Sequence, residues 1–312
     1  MLTAHNGKVI IMTNMKGGIG KTTDNDLLSI VGSQLFHKKI LLVDYDQQRN
    51  TTSNITSTFQ ITNYNNSLSY AIENHNWLGS ITKLSDNLDF IAGSFSSKGL
   101  VDWLNEQFPQ GEKRDFAFKD TFDELRNVYD YIFIDCPPSA DNLVQSFITT
   151  CDYIVQLQEL KRFAMEGTQT FTDEVLLKLI AAYQDKVHFQ IIGILPVLFS
   201  SRMDRQKEHL RILKDRYGES NIFATIIKGS DRLEIYGEDG IRLKDYFDRR
   251  IWGIFADIFC ELEQRIQYYE RTGDTEGFSY TPQFADSIKN KILAKGREIK
   301  INGVATTSGS IK

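Results

Sequence analysis

Residues 8–23 read Lys8-Val9-Ile10-Ile11-Met12-Thr13-Asn14-Met15-Lys16-Gly17-Gly18-Ile19-Gly20-Lys21-Thr22-Thr23. The first seven form an apolar run that predicts a buried parallel strand. Glycines at 17, 18 and 20 then punctuate the chain. Beyond them, residues 22–36 carry Leu27, Leu28, Ile30, Val31 and Leu35 at helical spacing. A strand, a glycine turn and a helix in that order make an anion site. Glycines let successive backbone N–H groups face one anion with no Cβ in the way, and the helix N-terminus adds its partial positive charge. Gly17, Gly18, Ile19, Gly20, Lys21, Thr22 and Thr23 therefore predict a phosphate cradle. Lys21 is placed to reach the β- and γ-phosphates of a nucleoside triphosphate, and the Thr22 hydroxyl to ligate Mg²⁺.

The reading extends outward from this cradle. Residues 39–44, KILLVD, predict a second buried strand and complete a βαβ unit. Further strands are predicted at 88–92, 131–135, 153–157, 189–196 and 222–227, and helices at 116–129, 167–183, 205–217 and 251–269. Strands alternating with helices imply an α/β fold: a doubly wound, mostly parallel sheet with helices on both faces. Residues 51–66 are rich in Thr, Ser and Asn and read as an ordered loop or short turns. From about Arg271 the core periodicity weakens. The chain thus divides into a P-loop domain over 1–270 and a C-terminal extension over 271–312 that is partly helical or disordered, with the closing ATTSGSIK expected to be disordered.

Composition narrows the function. With 312 residues and 41% hydrophobic content, the chain can bury a sizeable core. Its formal net charge of -5 argues against nucleic-acid binding by the whole surface, so any DNA contact must be a local patch. The three cysteines, Cys136, Cys151 and Cys260, are widely spaced and form no CxxC pair. That disfavours a disulfide framework or zinc site and suits a reducing cytoplasm. The N-terminus lacks signal-peptide features, and no stretch approaches the roughly 18 apolar residues of a spanning helix. A soluble cytoplasmic protein is expected.

With Lys16 included, the cradle reads K-G-G-I-G-K-T-T and resembles the deviant Walker A family, which includes the partition ATPase ParA (Soj) and the division-site protein MinD. The resemblance spans Val9 to about Glu263. It implies ATP as the nucleotide, Mg²⁺ as the metal, and an ATP-dependent homodimer in which Lys16 crosses to the partner's nucleotide. Residues 41–48, LLVDYDQQ, resemble the family's strand ending in D-x-D-P-Q. This implies that Asp46 orients the attacking water and that Asp44 supports the metal; Gln47 stands in place of the usual proline. Residues 131–138, YIFIDCPP, resemble the Walker B strand, which implies that Asp135 holds Mg²⁺ through a water. Residues 156–167, QLQELKRFAMEG, resemble the nucleotide-sensing switch of the partition branch. Gln158, Ala164, Glu166 and Gly167 match, Gln156 replaces a proline, and the acid position falls on Leu160 or Glu159. Asp24-Asn25-Asp26 depart from the family's small and apolar residues.

The partition branch also implies non-specific DNA binding by the ATP dimer. By resemblance the contact falls on Arg202 or Arg205, and on Lys228 and Arg232. The competing reading of Arg205, Lys207, Arg211 and Lys214 is a solvated helix face balanced by Asp204, Glu208 and Asp215. The same branch implies a ParB-like centromere-binding partner that stimulates hydrolysis, and a nucleoid-associated location. No helix-turn-helix precedes the first strand. The alternative is a MinD-like membrane-cycling ATPase, which needs an amphipathic C-terminal helix. The segment Gln283–Lys300 mixes lysines with Phe284, Ile288, Ile292 and Leu293, but Asp286 and Gly296 weaken that pattern.

Overall fold

The computed structural model describes residues 6–94, 97–284, 299–301 and 304–306. In chain order the elements are β1 (Lys8–Thr13), α1 (Lys21–Leu35), β2 (Ile40–Asp44), α2 (Asn50–Phe59), α3 (Leu68–Glu73), β3 (Thr82–Lys83), β4 (Leu88–Ile91), α4 (Ser97–Gln107), α5 (Gly111–Asp115), α6 (Lys119–Leu125) and β5 (Tyr131–Asp135). There follow α7 (Asn142–Thr150), β6 (Tyr153–Glu159), α8 (Arg162–Phe171), α9 (Leu177–Tyr183), β7 (Gln190–Val197), α10 (Asp204–Tyr217), α11 (Asp231–Asp239) and α12 (Tyr246–Thr272), then the short pair β8 (Ile299–Ile301) and β9 (Val304–Thr306).

Seven strands form one sheet in the order β3-β4-β2-β5-β1-β6-β7, parallel throughout except for the antiparallel edge strand β3. Both faces are covered, so successive residues of one strand enter different cores. Ile10 and Met12 of β1 pack with Leu27, Ile30 and Val31 of α1 and Phe255 and Phe259 of α12. Val9 and Ile11 pack on the opposite side with Leu104, Phe122 and Phe147 of α4, α6 and α7. This two-sided burial explains why the strands read as continuous apolar runs rather than as alternating patterns. The order places the C-terminal ends of β2, β5 and β1 side by side, with Asp44 directly opposite Asp135. Ligands of open α/β sheets bind in such a crevice.

Several elements differ from the sequence expectation. The Thr/Ser/Asn-rich segment 51–66 is a loop only in its second half: residues 50–59 form α2, whose Thr51, Thr52 and Asn54 are buried against carboxylates instead of solvent. Residues 222–227 do not form a strand; they contribute the isolated bridge Ile194–Ile222 and a hydrogen bond from Ile227 N to the Pro196 carbonyl, and a second bridge joins Phe199 to Lys228. The helix expected over 116–129 is reduced to α6. The one expected over 167–183 begins at Arg162 and is broken by a π-helical turn at Thr172–Leu176. Of the closing residues 305–312, expected to be disordered, Ala305 and Thr306 pair with Lys300 and Ile299, and 307–312 lie outside the described residues. Most of the tail considered for membrane contact, residues 285–298, lies outside the described residues. Before it, the extension lies on α12. The Asp257 carboxylate accepts from the Tyr280 hydroxyl (2.9 Å) and the backbone N–H groups of Gln283 (2.6 Å) and Phe284 (3.0 Å).

Two features of α1 give testable consequences. A Cβ at Gly32 would overlap the Phe259 ring and lie 2.7 Å from Ile40 Cδ1, so α12 and β2 approach α1 only because this residue has no side chain. Gly32→Val is expected to cost about 2–3 kcal/mol through overpacking, read as a lower urea midpoint. Asp24 is buried in the first turn with Oδ2 unpartnered, and burial pushes its carboxyl well above the usual carboxylate range. Above pH ~4 the unfolded chain gives up this proton while the folded chain keeps it, so stability falls as pH rises towards the folded-state pKa. Asp24→Ala is therefore expected to raise the melting temperature more at pH 8 than at pH 5, with a gain of about 1–3 kcal/mol at the higher pH. An equal gain at both pH values would show that the buried carboxyl does not bind the extra proton.

Candidate nucleotide site

Between β1 and α1 the chain turns through Gly18 (φ 72°) and Gly20 (φ 92°), with Gly20 immediately preceding the helix. These left-handed conformations are open to glycine at no steric cost and strained for other residues. Asn14 fixes the start of the turn: its amide donates to the Leu157 carbonyl (2.5 Å) and to Thr168 Oγ1 (3.1 Å), and its Oδ1 accepts from Lys16 N (2.6 Å). Lys21 is buried, and its ammonium donates to the carbonyls of Asn14 (3.2 Å) and Lys16 (3.3 Å). Burial lowers its pKa, while Asp135 and Asp46 act in the opposite sense. The two carbonyl contacts are long, and an anion in the turn would compete with them by forming charge-assisted bonds.

The turn opens on a cavity of about 700 Å³, a volume in the range of small-molecule sites. One wall is Gly17, Gly18, Gly20, Lys21, Thr22 and Thr23. The others come from Asp46 and Asn50 near α2, from Pro137 to Ser139 beyond β5, and from Glu234, Gly237 and Glu238 on α11. Behind Thr22 stands Asp135, whose Oδ2 accepts from Thr22 Oγ1 (2.9 Å) and Thr51 Oγ1 (3.0 Å). Burial pushes the Asp135 carboxyl up to about 6, and the two threonine hydroxyls counteract it. Thr22 and Asp135 offer hard oxygen ligands, and the residues present fit a Mg²⁺ that arrives on phosphate oxygens. Asp46 is half-buried at the cavity wall, its Oδ1 accepting from Gln48 N (2.9 Å).

The structure brings most of the expected nucleotide residues together, but it does not bring Asp44 to the cavity wall. Its carboxylate is fully buried and accepts from Thr52 N (2.9 Å), Thr52 Oγ1 (2.6 Å) and Asp46 N (3.0 Å). Burial and the nearby Asp135 raise it to about 7. Asp44 shapes the loop that presents Asp46. Lys16 forms an ion pair with Glu159 at the end of β6, and Lys161 pairs with the same carboxylate. Burial opposes ionisation of Glu159, but hydrogen bonds from the two lysines hold it below the usual range. Of the two positions left open for the switch acid, Glu159 is thus the one that engages the cradle, whereas Leu160 is buried in an apolar cluster.

The basic positions divide. The bridge between Phe199 and Lys228 sets the loop after β7 beside the segment before α11. Arg202, Arg205 and Lys228 are exposed there and make no ion pair among the described residues. Arg232 is engaged internally with Asp245 (2.9 Å) and Asp248 (3.2 Å). Along α10, Lys207 pairs with Asp204, Arg211 with Glu208 and Asp215, and Lys214 with Glu219, as a balanced solvated face requires. Sequence reasoning missed Asn14, Thr51, Thr52 and the α11 residues Glu234, Gly237 and Glu238. The recurrence of Thr and Asn just after the acidic loop was a signal that buried carboxylates need partners.

Comparison with known proteins agrees with this geometry. Residues 7–189 match the family model described as AAA domain. The chromosome-partitioning ATPase Soj of Treponema pallidum is 26% identical over 77% of this chain and 90% of its own length. The sporulation initiation inhibitor protein Soj of Bacillus subtilis is 27% identical over 83% of this chain and 98% of its own. Among solved structures, a plasmid partition protein of Borrelia burgdorferi bound to AMPPNP superposes with a TM-score of 0.65 at 22% identity, covering 82% of this chain and 99% of that one. At that identity the last comparison speaks for the fold alone. The chain belongs to the AAA domain family and is a ParA/Soj-type P-loop ATPase.

Proposed function

We propose that this ATPase drives DNA partition as an ATP-dependent homodimer that binds non-specific double-stranded DNA and leaves it on hydrolysis. The observation that carries the reading is a cavity lined by Gly17, Lys21, Thr22 and Asp46, with Asp135 behind Thr22. The backbone N–H groups of residues 17–23 bind the triphosphate, and Lys21 exchanges its carbonyl contacts for the β- and γ-phosphates. Thr22 and Asp135 would hold Mg²⁺, which supplies charge neutralisation at the β- and γ-oxygens. Asp46 orients the attacking water. Lys16 leaves Glu159 and reaches the partner's nucleotide, where a cation in trans offsets developing charge and ties assembly to nucleotide state. Hydrolysis is slow alone, because the site works by positioning, and a ParB-like partner accelerates it.

The relatives named for chromosome partitioning support this reading. DNA contact is assigned to the exposed Arg202, Arg205 and Lys228, whose phosphate contacts require only charge and placement. The membrane-cycling alternative would rest on the segment 283–300, most of which lies outside the described residues.

DNA binding should be measured without nucleotide, with ADP, with ATP and with a non-hydrolysable analogue across a salt series. Binding to arbitrary duplex is expected only with ATP or its analogue, and to weaken steeply with salt. Asp46→Ala should bind ATP and DNA but release phosphate about 100-fold more slowly or worse, and Lys16→Ala should lose dimerisation and hydrolysis together. The triple change of Arg202, Arg205 and Lys228 to Ala should abolish DNA binding while the ATP-induced dimer persists. Arg232→Ala is expected instead to cost about 2–4 kcal/mol of stability, because it leaves the buried Asp248 with weaker compensation. No DNA binding in any nucleotide state, with ATP binding intact, would overturn the partition reading.

A further inference from the structure

Asp26 belongs to none of the motifs considered above, yet it is fully buried on α1 one turn beyond Thr22. Its Oδ1 lies 2.9 Å from Thr51 Oγ1, and its Oδ2 accepts from Asn54 Nδ2 at 2.6 Å. The same Thr51 hydroxyl lies 3.0 Å from Asp135 Oδ2, the oxygen that also accepts from Thr22. The chain of contacts therefore runs Asn54, Asp26, Thr51, Asp135, Thr22, and crosses from α2 to α1, back to α2 and then to the end of β5.

A hydroxyl carries one proton. Thr51 cannot donate to Asp26 and to Asp135 at once, so one of its two carboxyl contacts has to be made by a carboxylic-acid proton. Asp135 Oδ2 already accepts from Thr22, whereas Asp26 has no cation beside it. Burial, with Asp135 close by, also pushes the Asp26 carboxyl well above the usual range. The consistent arrangement has Asp26 donating through Oδ1 to Thr51, Thr51 donating to Asp135, and Asp26 Oδ2 accepting from Asn54. Every polar atom of the relay between Asn54 Nδ2 and Asp135 Oδ2 is then used, which fixes Thr51 in one rotamer and Asp135 in one orientation.

We propose that Asp26 is a positioning residue of the metal site, acting through the Thr51 hydroxyl to hold the Asp135 carboxylate in the orientation that accepts Mg²⁺. The proposal rests on the reading of Thr22 and Asp135 as the metal-binding pair. Were Thr22 to hold the metal instead of donating to Asp135, Asp135 would lose one of its two hydroxyl donors. Thr51 is the donor that stays, and Asp26 keeps it aimed. Groups standing behind metal ligands typically change metal affinity 10–100-fold when removed.

The test separates nucleotide binding from metal binding. ATP affinity is measured in EDTA, and phosphate release is measured against Mg²⁺ concentration, for wild type, Asp26→Leu, Asp26→Asn, Thr51→Val, the Asp26→Leu/Thr51→Val double variant and Asp135→Asn. An asparagine at 26 can donate to Thr51 and accept from Asn54, as the protonated acid does. The expected result is that Asp26→Leu and Thr51→Val keep ATP binding in EDTA within about twofold but need about 10-fold more Mg²⁺ for half-maximal rate. Asp26→Asn should keep the wild-type Mg²⁺ requirement within about twofold, and the double variant should be no worse than either single change because both act through one oxygen. If Asp26→Leu does not fold, Thr51→Val and Asp26→Asn carry the comparison. A wild-type Mg²⁺ requirement in Asp26→Leu or Thr51→Val, or equal losses in EDTA and in Mg²⁺, would overturn the proposal. The Asp135→Asn arm tests the underlying reading by itself: an unchanged Mg²⁺ dependence there would remove the metal pair, and the role of Asp26 with it.

Discussion

Carboxylates buried at the end of a parallel sheet must find donors, and this requirement organises the nucleotide end of the molecule. Asp44 and Asp135 sit opposite each other at the ends of adjacent strands, with Asp26 on the helix behind them. An isolated buried carboxylate is costly, so each has to be hydrogen-bonded, protonated or matched by a cation. The protein uses all three solutions. Thr22, Thr51, Thr52 and Asn54 donate, the raised pKa values favour the protonated forms, and Lys21 lies close to Asp135 and Asp46. On the proposed reading, a divalent cation would add the positive charge that these carboxylates otherwise obtain piecemeal from hydroxyl donors and Lys21.

The same requirement explains which parts of the molecule were legible in the sequence. The strands were, because two-sided burial writes them as unbroken apolar runs such as KVIIMT and YIFID. The cradle was legible because its left-handed positions, Gly18 and Gly20, favour glycine and because a helix start follows to supply N–H groups. Helix α2 was not. NTTSNITSTF has weak helix propensity and the composition of a loop, and it becomes a helix because its threonines and Asn54 are the partners demanded by acids elsewhere in the chain. The Thr and Asn content signals that acids nearby need partners, but the helical conformation that delivers them is set by tertiary contacts. Residues 222–227 failed for the opposite reason: the apolar pattern suits a strand, but the segment touches the sheet edge only at its two ends, where Phe223 N donates to the Ile194 carbonyl and Ile227 N to the Pro196 carbonyl, so no continuous ladder forms.

Site residues show the same division. Lys21 and Thr22 could be placed by the strand–turn–helix pattern and Asp135 by resemblance, and the structure joins Thr22 directly to Asp135. Asp44 and Arg232 could be named by resemblance, but their surroundings give them other work. Asp44 is enclosed by Thr52 and the Asp46 amide, and Arg232 by Asp245 and Asp248. Glu234 and Glu238 entered only through the packing of α11 over the start of α1, where a Cβ on Gly237 would come within 3.3 Å of Thr23 Oγ1. A motif identifies a residue type at a position, whereas its role depends on which neighbours have already claimed its hydrogen-bonding capacity.

Glu159 bears two lysines, one from the cradle and one from the segment that follows its own strand. Charge neutrality at this carboxylate therefore does not depend on Lys16 alone. If Lys16 leaves for a partner's nucleotide, as proposed above, Lys161 remains, and the buried acid keeps a cation beside it. A carboxylate shared by two lysines gives up one of them at a smaller electrostatic cost than a carboxylate that holds a single cation. On the proposed reading, such a pair would act like a balanced lever, with the bound phosphate supplying the bias.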